Sequence, residues 1–353
     1  MKTKLSVNFI NLLLVILLAI VLLVNVITIA GLNTALKQGP SVASTSITLT
    51  GIEPADCEEC SDLQQIIDAL EQSAELELEG STIVSEDSAE GKALIKKYSI
   101  TRLPAIILDG DIDQLPASDE VDRVGDSLVV RQLPPPYYDL ATKKVGGVVD
   151  VTYLTAPVCT KCADITQLGT QLGGAGVAIG AEVPVVFDSV EGKALVAKYN
   201  VTAVPTAIFS SEAAQYPLFL QAWTTAGTVD ADGSYVLRTV QPPYIDVATG
   251  KTRGLVKATY VKDATCKECF DPSTYKTILE SNFGLKLDSE MTFDVSSDAG
   301  KKLLAQYKLI LVPAVILTGD IDAYSSLTQS WAQIGSEESD GALVFRKVDL
   351  LQG

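Results

Sequence analysis

One pattern occurs three times along this chain, and it constrains the fold more than any other feature. A Cys-x-x-Cys pair stands at Cys57 and Cys60 (CEEC), again at Cys159 and Cys162 (CTKC), and again at Cys266 and Cys269 (CKEC). The first cysteines are 102 and then 107 residues apart. Behind each pair a longer segment recurs. EGKALIKKYSITRLPAIIL at 90–108 returns as EGKALVAKYNVTAVPTAIF at 191–209 and, more loosely, as AGKKLLAQYKLILVPAVIL at 299–317. Its proline (Pro104, Pro205, Pro313) always lies six residues after a tyrosine, and 47, 46 and 47 residues after the first cysteine. Distances held this closely in three copies mark repeated structural units. The connectors repeat as well: PPYYDLATKKVGGVV at 135–149 matches PPYIDVATGKTRGLV at 242–256. Prolines followed by turn-forming residues predict an extended entry and a tight turn, a hairpin that joins one unit to the next.

The order of elements within a unit is legible. VTYL at 151–154 is β-branched and aromatic and predicts a buried strand. The Cys-x-x-Cys pair follows after a short loop. Leu63, Ile66, Ile67 and Leu70 then fall at i, i+3, i+4 and i+7, one face of a helix. A second strand is clearest as VPVVF at 183–187, a second helix runs around GKALVAKY, and a strand such as PTAIF starts at the proline. Strands alternating with helices predict an α/β sheet with crossover helices. After the proline strand, SLTQSWAQIGSEESDGALVFR at 326–346 reads as a helix and then a strand. Trp223 and Trp331, each 18 residues past its unit's proline, read as core residues. Gly91, Gly192 and Gly300 read as turn markers ahead of helical runs.

The N-terminus carries a membrane signal. Phe9 to Ala30 is a run of 22 residues without a charge, and none occurs between Lys4 and Lys37. About 20 apolar residues span the hydrocarbon core as a helix; a cleaved signal has a shorter apolar region. Lys2 and Lys4 keep the preceding end in the cytoplasm by the positive-inside rule. The expected layout is a cytoplasmic tail at 1–8, a transmembrane helix at 9–30 and a linker at 31–45. Three domains follow at 46–146, 147–254 and 255–353, all extracytoplasmic, where disulfides form and persist. Removal of the same segment as a signal peptide is the alternative.

Composition narrows the chemistry. The chain has no histidine, which removes Ser-His-Asp and Cys-His catalysis and every His-ligated metal site. A net charge of −17 supplies no basic surface for nucleic acid. The Cys-x-x-Cys pairs leave three readings open: redox dithiols, half-sites for zinc, or structural staples. A Cys₄ zinc site joins two pairs and leaves a third over. A bond closing four residues constrains the unfolded chain by only about 1.9 kcal/mol, against about 3 for a 15-residue loop.

A Cys-x-x-Cys opening the first helix, with a proline about 46 residues later heading a strand, resembles the thioredoxin-like superfamily. YNVTAVPTAIF is similar to that family's segment ending in a cis-proline. The resemblance covers most of each unit, although no unit has the Trp-Cys-Gly-Pro-Cys motif of thioredoxin itself. It implies an α/β fold of three tandem thioredoxin-like domains after one N-terminal transmembrane helix. It implies that Cys57, Cys159 and Cys266 open the first helix as nucleophiles, and that Cys60, Cys162 and Cys269 resolve the mixed disulfide. Pro104, Pro205 and Pro313 are then cis and shape the surface where a substrate backbone lies. The implied activity is thiol–disulfide exchange on exported proteins, with no cofactor and no metal; the membrane is engaged through the N-terminal helix. A non-catalytic surface spacer with permanent disulfides is the alternative. Glu58 and Glu59 should oppose thiolate formation at Cys57, and Lys161 should assist it at Cys159. The expected ranking gives the first unit the lowest reduction potential and the second the highest.

Overall fold

The computed structural model describes residues 47–72, 78–112 and 121–347. The expected tail, membrane helix and linker (1–45) lie outside the described residues. Among those described, no helix is long and apolar enough to cross a membrane.

The first unit runs β1 (Ile47–Glu53), α1 (Leu63–Gln72), β2 (Leu78–Ser85), α2 (Ala89–Tyr98), β3 (Arg102–Leu103), β4 (Ala105–Gly110), β5 (Val121–Val124) and β6 (Ser127–Val130). Its connector forms β7 (Tyr137–Asp139) and β8 (Lys144–Gly146). The second unit repeats this as β9 (Val149–Thr155), α3 (Gln167–Gly174), β10 (Ile179–Val186), α4 (Val190–Lys198), β11 (Ala203–Val204) and β12 (Thr206–Phe209). It continues with α5 (Pro217–Ala226), β13 (Gly227–Val229), β14 (Tyr235–Leu237) and a connector hairpin of β15 (Tyr244–Asp246) and β16 (Lys251–Arg253). The third unit has β17 (Val256–Lys262), α6 (Ser273–Phe283), β18 (Leu287–Asp294), α7 (Asp298–Gln306), β19 (Ala314–Gly319), α8 (Ser325–Ile334), β20 (Gly335–Glu337) and β21 (Leu343–Phe345).

Each unit is one five-stranded sheet: β2-β1-β4-β6-β5, β10-β9-β12-β14-β13 and β18-β17-β19-β21-β20. The first two strands of a unit pair in parallel across the crossover helix, and the strand after the proline pairs antiparallel with the first. The period-2 alternation of a strand sends its side chains into two cores, one per sheet face. In β1, Ile47 and Leu49 pack with Leu63 and Ile67 of α1, while Ile52 packs with Tyr98 of α2 on the other side. The helices therefore cover opposite faces, and the sheet is the middle of three layers. The predicted face of α1 holds, with Leu63 and Ile67 buried and Ile66 and Leu70 packed at the core edge.

The second helix of each unit starts the same way for a local reason. Ser88, Ser189 and Ser297 take the cap position, and each Oγ accepts the backbone N–H of Gly91, Gly192 or Gly300 at 2.9–3.0 Å. These glycines lie inside the first helical turn. A Cβ there would sit 2.0–2.1 Å from the carbonyl oxygen of Ser85, Val186 or Asp294, so only glycine fits. Trp223 and Trp331 are buried core residues. In the third unit the helix expected after the proline strand is present, and two strands follow it where the sequence suggested one; the second unit ends the same way.

The connectors are hairpins, and they also do something the sequence did not show. β7 pairs antiparallel with β3, and β15 pairs with β11, so each hairpin is laid along the two residues that precede the unit's proline. The turn is set by an aspartate that binds its own backbone. Asp139 Oδ1 accepts the N–H groups of Ala141 and Thr142, and Asp246 Oδ1 accepts from Thr249 N–H and Oγ1. These bonds hold both carboxyls below the ordinary carboxylate range. Buried tyrosines tie connectors to the next unit. Tyr216 Oη donates to Gly147 O and accepts from Ala178 N–H; Tyr324 Oη donates to Gly254 O and accepts from Lys286 N–H.

Candidate functional site

The three cysteine pairs occupy the same place in their units. The first cysteine follows the end of the first strand by four residues: Glu53 to Cys57, Thr155 to Cys159, Lys262 to Cys266. All three pairs are closed disulfides, with Cα–Cα separations of 5.5, 5.4 and 5.5 Å. Cys159 is buried at 8% exposure, and the other five cysteines are half-buried.

The pairs do not open the first helix, which corrects the sequence expectation. Helices α1, α3 and α6 begin three, five and four residues after the second cysteine, at Leu63, Gln167 and Ser273. An aspartate two residues past each pair explains the delay. Asp62 Oδ1 accepts the N–H of Gln65, Asp164 Oδ1 accepts both N–H and Oγ1 of Thr166, and Asp271 Oδ1 accepts the N–H of Ser273. Aspartate offers the backbone this alternative to a helical turn, so the helix starts beyond it. The N–H groups of Cys159 and Cys266 bond instead to the carbonyls of Ala156 and Asp263. The positive end of each helix dipole thus meets a carboxylate and not a sulfur. The Thr166 hydroxyl holds Asp164 below the usual carboxylate range, and the Ser273 N–H does the same to Asp271. The signal was present in sequence as a pattern extended by two residues: CEECSD, CTKCAD and CKECFD.

Lys161 makes a contact between units. Its Nζ donates to the carbonyls of Leu287 (3.0 Å) and Asp288 (3.3 Å) at the start of β18 in the third unit. The charge expected to favour the Cys159 thiolate is thus bonded to backbone oxygens of a neighbouring unit.

Pro104, Pro205 and Pro313 all follow cis peptide bonds. Strand register puts each at the end of the first strand, because Ile52 faces Ala105, Leu154 faces Thr206 and Val261 faces Ala314. The proline and the disulfide therefore share one end of the sheet. In the second unit Cys159 and Cys162 belong to the same core cluster as Val204, the residue before Pro205, and Ile245 of the connector.

The connector is the part of this site that the sequence reading missed. Ser61, adjacent to Cys60, donates its N–H to Pro136 O at 2.9 Å and its Oγ to Pro134 O at 2.7 Å. The Arg102 guanidinium stacks 4.1 Å over the Tyr137 ring. The repeated PPY was the available signal; Pro135–Pro136 and Pro242–Pro243 are also cis. Among the described residues, no group of His, Cys, Asp and Glu side chains is arranged to hold a metal ion. What the arrangement offers chemically is a pair of sulfurs at a sheet end, beside a strand edge.

No family model matches the chain, and no curated protein matches it. Solved structures similar to it include an N-terminal domain of alkylhydroperoxide reductase AhpF from Enterococcus faecalis, at 12% identity, covering 52% of this chain and 86% of that one, with a TM-score of 0.17. Another is ERdj5, at 11% identity, covering 83% of this chain and 39% of that one, with a TM-score of 0.16. A third is human ERp44, at 8% identity, covering 92% and 95%, with a TM-score of 0.16. At these scores the likeness adds nothing to the strand order itself. That order, with a parallel β-α-β start, a cis-proline strand and a Cys-x-x-Cys after the first strand in each of three units, fits tandem thioredoxin-like domains.

Proposed function

We propose that the chain carries out thiol–disulfide exchange through its Cys-x-x-Cys pairs, acting on exported proteins outside the cytoplasm and held to the membrane by residues 9–30. One observation carries the reading: a closed disulfide sits at the same offset, at the same sheet end, beside a cis-proline, in three units whose other residues have diverged. In the reducing direction the thiolate of Cys57, Cys159 or Cys266 attacks one sulfur of a substrate disulfide. A mixed disulfide forms, and one substrate sulfur leaves as a thiol after taking a proton. The thiolate of Cys60, Cys162 or Cys269 then attacks its partner, closes the pair and releases the second substrate thiol. Two electrons pass from the pair to the substrate; the oxidising direction is the reverse. No cofactor enters the balance. With the helix dipole answered by aspartate, these thiols are less activated than thiols at a helix N-terminus. The second reading, a surface spacer with permanent disulfides, draws on the hairpins that lie against the first two sites.

The test traps the intermediate. In the full chain, Cys60→Ser, Cys162→Ser and Cys269→Ser each leave the attacking cysteine without its resolving partner. Each variant should accumulate a mixed disulfide with a disulfide-bearing polypeptide, seen on non-reducing gels and located by mass spectrometry. Absence of adducts at all three sites rejects the exchange reading.

A further inference from the structure

Two of the chain's six arginines line one cleft at the joint between the first and second units. Its polar lining is Arg102 and Arg131 with the amides of Gln132 and Gln215, and no carboxylate of the described residues belongs to it. Gln215 comes from the second unit, just ahead of α5, and the other three come from the first. Such a lining is unexpected in a chain of net charge −17. Pro104, Leu133, Pro135 and the Tyr137 ring supply an apolar wall.

The fold does not consume the cations of this cleft. Arg102 stacks on Tyr137 and, among the described residues, enters no ion pair. Arg131 holds Asp122 through Nε and the carbonyls of Tyr98 and Ser99 through Nη1, which leaves Nη2 without a partner among the described residues. The carboxylates that act on the Tyr137 phenol, Glu212 and Asp139, are already bonded to backbone N–H groups. Glu212 takes that of Gly147, and Asp139 takes those of Ala141 and Thr142. The second joint is an internal comparison. By the repeat, Ala203, Thr239 and Ala323 stand where the first joint has Arg102, Gln132 and Gln215. Arg238 stands for Arg131, and its Nη2 lies 3.9 Å from Asp230. A joint of this design is therefore built without Arg102 and the two amides, so holding the joint together does not account for them.

We propose that the cleft binds a small carboxylate bearing a short aliphatic chain. A guanidinium offers paired N–H donors in one plane, which match the two oxygens of a carboxylate. The primary amides add neutral donors, and the apolar wall takes the chain. The cleft measures about 70 Å³. At about 10–15 Å³ for each water it admits about five to seven heavy atoms, the size of butyrate. The occupant touches the first unit, its connector and the second unit at once. No sulfur takes part, so the site stands or falls apart from the exchange reading.

The experiment uses the full chain with its disulfides closed and isotope-labelled at arginine. The arginine Nε–H signals are followed by NMR as butyrate replaces chloride at constant ionic strength. Arg102→Ala, which installs the residue found at the matched Ala203, assigns the Arg102 signal. That signal should move saturably with butyrate, and butyramide, of the same size without the charge, should bind about tenfold more weakly. Gln215→Ala, which installs the residue found at the matched Ala323, should weaken butyrate binding by about threefold or more. An Arg102 signal that does not saturate, or a saturable shift that Gln215→Ala leaves unchanged, overturns the site. Tighter binding of a tripeptide ending in a free valine carboxylate overturns the assignment to a small acid.

Discussion

Val204 of the second unit and Val312 of the third each precede a cis-proline, yet the first is fully buried and the second half-exposed beside the bare Ile310 and Leu311. Elsewhere these units are close counterparts. Both start with a seven-residue strand, cap the second helix with a serine that holds a glycine N–H, and bury a tryptophan from the last helix. Both place a tyrosine of the first strand, Tyr153 or Tyr260, against a glutamate of the second, Glu182 or Glu290, and burial pushes both phenols well above their ordinary range. The cores are thus alike, and what differs among the described residues is a strand contributed by the connector. The sheet fold sets where the sulfurs sit. In the first two units a hairpin lies along the edge beside them.

The sharpest way to break this comparison is to place a charge at matched edges. Val204→Asp buries an unpaired carboxylate under β15 and should destabilise the second unit by about 4 kcal/mol or more. Leu311→Asp, at an exposed position, should stay within about 0.5 kcal/mol. Denaturant melts followed by tryptophan fluorescence read the second unit through Trp223 and the third through Trp331. Equal losses would mean that the third edge is covered as the second is.

A smaller effect probes the tyrosine clamp. Tyr324 is 3% exposed, and burial raises its phenol from 10.0 to about 12. The folded pKa lies above the unfolded one, so this contribution to stability is complete below pH 10. It is lost between pH 10 and about 12, at about 1.4 kcal/mol per pH unit, as the unfolded phenol ionises and the folded one does not. Tyr324→Phe should cost about 1–3 kcal/mol at neutral pH, by leaving Gly254 O and Lys286 N–H unpaired. It should also flatten the alkaline limb of the third unit's melt relative to that of the second, which keeps Tyr216. An unchanged alkaline limb would remove the clamp from the account.

The smallest expected effect separates the first pair from the second. Glu58 and Glu59 are exposed, so their influence on Cys57 is screened. Glu58→Lys with Glu59→Lys should raise the first unit's potential by an amount on the order of 20 mV. With Lys161 held by carbonyls of the third unit, the second pair should stand above the first by less than its charge alone implies. A second-unit potential below that of the first would refute the charge argument.

Much of this was readable from the residues. The three units followed from fixed distances, the first helix from the spacing of Leu63, Ile66, Ile67 and Leu70, and the hairpins from proline and turn chemistry. The dithiol and the proline were found because each is one residue type at one offset. The late helix start was missed because a single aspartate outcompetes the first helical turn, and a Cys-x-x-Cys scan stops two residues short of it. The capped edge was missed for a different reason. Pairing of Leu103 with Tyr138 joins residues far apart in sequence, and nothing in PPYYD shows which strand it will meet. The engagement of Lys161 is likewise a contact between units, beyond the reach of any pattern inside one.

The central claim is that these disulfides exchange. Equilibrating the full chain in graded redox buffers, alkylating free thiols and mapping each pair by mass spectrometry gives three reduction potentials. Exchange predicts values above about −250 mV, within the range of known oxidoreductases, with Cys57–Cys60 the lowest of the three. Potentials below about −300 mV at all three pairs would mark structural bonds and contradict the account.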